Sequence, residues 1–125
     1  MVDINTSLSA QARGWGQGFP HSNADKCTWV EAGGIRMFVH RDVASLVGYL
    51  LDETLRRGYK MDQAADDWGY ASRYIAGTTT PSNHSWGLAV DINANKNPYT
   101  HNPIITDMDH WMPKLWNEYG FRWGG

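Results

Sequence analysis

Between Ser82 and Asp91 the chain sets an imidazole and a carboxylate around two residues too small to crowd them, in the order Ser82-Asn83-His84-Ser85-Trp86-Gly87-Leu88-Ala89-Val90-Asp91. The alternation from Leu88 to Asn93 predicts a strand. Leu88, Val90 and Ile92 would point one way and Gly87, Ala89 and Asp91 the other. A carboxylate on the side lined by glycine and alanine has empty space above it. Burying it without a partner is costly, so it calls for a metal ion, an arginine or several hydrogen-bond donors. Gly87 permits a turn that folds His84 back toward Asp91. Imidazole nitrogen and carboxylate oxygen are ordinary zinc donors. A catalytic zinc takes three protein ligands and leaves a fourth position for water, so this pair would be two of the three. On spacing alone the plainer reading, a histidine hydrogen-bonded to a strand-end aspartate, stands ahead of zinc.

Other residues compete for roles around this pair. Arg73 suits either a salt bridge to Asp66 or Asp67 or the binding of an anionic group. Ser82 lacks the setting of a Ser-His-acid nucleophile and reads better as a turn or hydrogen-bonding residue beside the site. Trp86 reads equally as cleft lining or as packing. His101 and His110 are alternative donors. The plainer reading makes Asp107 or Asp109 a helix N-cap and His110 a surface or partly packed residue. His21 and His40 have no spacing that suggests chemistry and read as structural or exposed.

Such a site needs elements to hold it. Val43, Leu46, Val47, Leu50, Leu51 and Leu55 recur at three and four residues, the stripe of an amphipathic helix, with Asp42 as its N-cap, Arg56 and Arg57 in the last turn and Gly58 as its stop. A shorter helix is predicted from Pro113 to Gly120, with Leu115, Trp116 and Tyr119 facing the core. Gly33-Gly34 introduces Ile35-Arg36-Met37-Phe38-Val39, a short strand with alternate residues inward. Glycines at alternate positions between Gly14 and Gly18 suit loop better than strand. Residues 1–34 are therefore expected to wrap a core formed by 35–125.

The 125 residues suit one domain. A net charge of -2 offers no basic footprint for nucleic acid or an anionic membrane. The longest apolar-rich stretch, 43–55, is too short and too polar to span a bilayer. The residues from Met1 to Ala10 lack the basic and apolar regions of a signal peptide, so synthesis in a cytoplasm is expected. Cys27, the single cysteine, cannot form an intrachain disulfide and reads as a structural thiol. Seven Trp and six Tyr suit a groove for a polar, partly apolar ligand, although core packing explains them equally well.

The pattern Ser82-x-His84-x-x-Gly87-x-Ala89-x-Asp91 resembles the signature of the M15 peptidases. These include D-alanyl-D-alanine carboxypeptidases, VanY-type enzymes and the L-alanyl-D-glutamate endopeptidases of phage endolysins. Tyr70-x-x-Arg73, Ile92-Asn93, Asn97-Pro98, Met112-Pro113 and Tyr119-Gly120-Phe121-Arg122-Trp123-Gly124-Gly125 are similar to the phage-type branch in order and spacing, so the resemblance extends over Val39 to Gly125. It implies an α+β fold of the M15 or hedgehog-like type: a small, mainly antiparallel sheet carries the metal site and packs with one long and one shorter helix. His84 and Asp91 would be the first two Zn2+ ligands. Arg73 would hold substrate or steady the developing oxyanion, with Ser82 and Trp86 as further substrate contacts. In the family an acidic general base, and a third ligand three positions after it, follow the Trp-Gly-Gly segment. The domain is therefore expected to be C-terminally incomplete at Gly125. The implied activity is hydrolysis of peptidoglycan stem peptides by an endolysin-type monomer of bacteriophage origin that reaches the cell wall after release. The competing implication is a non-catalytic module that binds wall peptides.

Overall fold

The computed structural model describes residues 2–4, 10–61, 67–94, 96–97, 106, 108 and 110–123. Within them lie two helices and two antiparallel sheets, a small α+β architecture. Strands β2 (Cys27–Ala32) and β3 (Ile35–His40) form a hairpin. Gly33 and Gly34 turn it at φ 56 and 86, the left-handed pair that a two-residue hairpin turn demands. As the alternation predicts, Ile35, Met37 and Val39 point into the core, each at most 2% exposed.

Helix α1 (Ala44–Arg56) lies against β2 and buries Val47, Leu50 and Leu51. Full burial of one such leucine is worth about 1.5–3 kcal/mol relative to leaving it in water. Gly58, at φ 98, ends the helix as expected, and Arg56 and Arg57 both bond Glu53. Asp42 is not the N-cap. It lies in a 3-10 turn, Arg41–Val43, that leads into α1, and its N–H donates to Nδ1 of His40. His40 thus caps that 3-10 turn, whereas the N-cap position of α1 falls on Val43, which makes no side-chain cap bond. The extra turn shifts the helix start beyond the reach of the aspartate.

A three-stranded sheet has the order β4-β1-β5, from β1 (Val2–Ile4), β4 (Ala89–Val90) and β5 (Phe121–Trp123). Val2 pairs with both Val90 and Trp123, so β1 is the central strand. The segment expected to wrap the core therefore supplies β1 and β2. The glycine-rich spacing there marks only the loop between those strands. The strand expected over 88–93 contracts to Ala89–Val90 plus one bridge between Asp91 and Trp68. Leu88, Ala89, Val90 and Ile92 are all buried, which removes the expected contrast between two faces.

Helix α2 (Trp111–Glu118) starts two residues before Pro113. The proline remains in the first turn, where its missing N–H costs nothing. Met112, Leu115 and Trp116 are buried, and Trp116 Nε1 donates to Thr54 Oγ1 at 3.0 Å, joining the two helices. Tyr119, expected in the core, is 42% exposed and packs on Tyr49 at a centroid distance of 5.5 Å. It follows the end of α2, where the helical period no longer sets its direction. The proposed caps Asp107 and Asp109 lie outside the described residues. Among those described, no helix is long and apolar enough to cross a membrane.

Candidate metal centre

Ser82 opens a 3-10 turn, Asn83–Trp86, by accepting the N–H of His84 at its hydroxyl, and Gly87 closes the turn at φ 73. A Cβ on Gly87 would stand 2.4 Å from the His40 nitrogen and 2.9 Å from Cys27 Sγ. The space expected above glycine is therefore filled by the β2–β3 hairpin and is not a ligand cavity. His40 N–H donates to Gly87 O at 2.9 Å, which fastens this turn to β3.

One extended segment, 67–73, then organises the site. Trp68 exchanges two backbone hydrogen bonds with Asp91, at 3.1 and 2.8 Å. Gly69 O accepts from Nδ1 of His84 at 2.6 Å, Ala71 N–H donates to His84 O, and Arg73 O accepts the Ser82 N–H. Gly69 can run this close because a Cβ there would meet Phe38 O at 2.5 Å. The result brings His84 Nε2 to 3.4 Å from Asp91 Oδ1, with the His84 side chain 0% and the Asp91 side chain 14% exposed.

That geometry favours a cation. A carbonyl only accepts, so Nδ1 carries the proton bonded to Gly69, and Nε2 is the ring nitrogen left to offer a lone pair to a metal. It faces a carboxylate oxygen, a second acceptor. At 3.4 Å the contact is longer than the roughly 2.7–2.9 Å of a charge-assisted hydrogen bond, and Nε2 is buried without a hydrogen-bond partner. Two ligands each about 2.0–2.2 Å from a tetrahedral zinc stand roughly 3.3–3.6 Å apart, so the spacing fits the ion. Burial pushes the Asp91 carboxyl up. Hydrogen bonding and charge from the His84 ring, which act when Nε2 is protonated, and, more weakly, the Arg73 guanidinium outweigh burial and hold it below the usual carboxylate range.

The remaining candidates separate. Arg73 is exposed and near enough to act on the Asp91 charge, and Asp67, offered as its partner, accepts the Asn93 N–H at 2.9 Å. Asp66 lies outside the described residues. Trp86, 2% exposed, packs under Gly18 and donates to Gly16 O at 3.0 Å, so it lines no cleft. Ser82, also 2% exposed, is the residue that caps this turn. His40 is buried and structural, His21 is exposed, and His110 is exposed at the head of α2. His101 is not among the described residues, and within those described no group of three His, Cys, Asp or Glu side chains converges. Gly69, which orients His84, escaped the sequence reading. Its only signal is a glycine between Trp68 and Tyr70, a mark of close backbone approach.

Residues 76–125 match the family model described as D-alanyl-D-alanine carboxypeptidase, of the M15 peptidases. The matched stretch, less than half of the chain, carries His84, Gly87 and Asp91. Comparison with curated proteins and with solved structures gave no match.

Proposed function

We propose that this chain carries the His84 and Asp91 ligands of a zinc peptidase that cuts the stem peptides of bacterial peptidoglycan, in the manner of an endolysin. The observation that supports it most is the buried Nε2 lone pair of His84 facing the Asp91 carboxylate at 3.4 Å, within the stretch similar to the carboxypeptidase family. A zinc ion bound there supplies Lewis acidity to the scissile carbonyl.

The chain's own groups do the rest. Gly69 O fixes the imidazole tautomer, and Trp68 holds the backbone of Asp91. Arg73, a cation at the edge of the site, anchors a substrate carboxylate or steadies the oxyanion. The third ligand and the general base are supplied from outside the described residues.

The test is digestion of purified peptidoglycan, with release of new amino termini followed by mass spectrometry. Cleavage that is lost with a chelator, restored by zinc and weakened by Arg73→Ala is the expected result, and the fragment masses identify the bond. Binding of wall peptides without cleavage by the zinc-loaded protein would replace this reading with a binding module.

A further inference from the structure

Beyond Asp91 the chain makes an unusual move. Asn93 sits at φ 46, is 0% exposed, and is the one non-glycine residue among those described with a positive φ. Asparagine tolerates this left-handed conformation better than most residues, and here its side-chain amide nitrogen donates twice. Nδ2 donates to the Tyr59 hydroxyl at 3.1 Å and to Lys60 O at 2.8 Å, both just past the end of α1. Its backbone N–H donates to Asp67 Oδ1 at 2.9 Å. Asn97 Nδ2 bonds Ile92 O and Asn93 O, closing the turn from the other side.

Asp67 directly precedes Trp68, whose backbone pairs with Asp91. The Asp67 carboxylate thus continues the ladder where backbone pairing ends: Trp68 grips residue 91 and Asp67 grips residue 93. The same segment grips His84 through Gly69. Rotation of the chain at residue 93 would turn Asp91 relative to a histidine that is separately fixed.

We infer that Asn93 and Asp67 are positioning residues for the Asp91 carboxylate, a clamp that ties the metal affinity of the site to the exit of α1. The inference rests on the zinc reading above. Outer partners of metal ligands typically contribute about 10- to 100-fold in affinity.

The test is zinc affinity of the full-length protein, by competition with a chelating dye, together with the visible spectrum of its Co2+ form. Asn93→Gly keeps the backbone conformation and removes the side-chain bonds, and Asp67→Ala removes the acceptor. Each is expected to weaken zinc binding by about 10-fold or more and to alter the Co2+ spectrum. Asp67→Asn, which keeps an acceptor oxygen, restores affinity. Thr54→Val breaks the buried bond to Trp116 and serves as a control for lost stability, with zinc affinity unchanged. Unaltered affinity in Asn93→Gly and Asp67→Ala, or equal weakening by Thr54→Val, would overturn the clamp while leaving the zinc site standing. Absence of zinc binding in the unsubstituted protein would overturn both.

Discussion

Gly87 is where the local chain and the site constrain one another most tightly. Its positive φ closes the turn that presents His84, and its missing Cβ admits the β3 backbone. In Gly87→Ala the new carbon meets backbone that cannot swing aside, so a stability loss of about 2 kcal/mol or more is expected in urea denaturation. A loss near zero would show that the turn is not so confined. Cys27, at the same junction, donates to Asn23 O at 3.4 Å, and burial, then the nearby Asp25 charge, push its thiol up to about 11. Alkylation by iodoacetamide should therefore be slow near neutral pH and keep rising toward pH 11, whereas a rate that levels off near about pH 8.5 would mark an ordinary thiol.

At the scale of elements, α1 was legible because its apolar period is local and strong, and Gly58 stops it where expected. Its entry was not. The helix is entered through a 3-10 turn capped by His40, so its N-cap position falls on Val43, without a side-chain cap, and not on Asp42. Burial holds His40 below the ordinary imidazole range, with Arg41 and Lys26 adding to it against Asp42. The unfolded chain then binds the proton more readily than the folded one. The contribution of His40 is full above about pH 6.5 and is lost as pH falls toward the lower folded value. Urea midpoints should fall less between neutral and mildly acid pH in His40→Gln than in the unsubstituted protein. Parallel declines would remove His40 from the account. The strand around Asp91 was legible in part: Ala89 and Val90 pair as expected, but β1 sits between β4 and β5, and no local pattern announces a partner so distant in the chain.

For the whole molecule, the α+β class followed from the helical stripe, the short strand patterns and the resemblance, whereas the two-sheet arrangement depends on non-local pairing. The site divides in the same way. His84 and Asp91 carry side chains whose chemistry is visible in sequence, and the structure brings them together. Gly69 acts through a backbone carbonyl, which every residue possesses, so its role emerges only when the 67–73 segment is laid against His84. Trp86 and Ser82 look functional in a motif and are buried turn and packing residues in three dimensions. Since β1 is the shared partner of β4 and β5, deleting residues 2–4 should abolish the cooperative thermal transition. An unchanged transition would mean that β4 and β5 need no common strand.

The central claim is that His84 and Asp91 together hold zinc. It is tested most directly by zinc content and affinity of the protein compared with its His84→Ala and Asp91→Asn variants. The account predicts zinc binding that depends on both residues. Absence of zinc from the unsubstituted protein, or binding indifferent to either substitution, would contradict it.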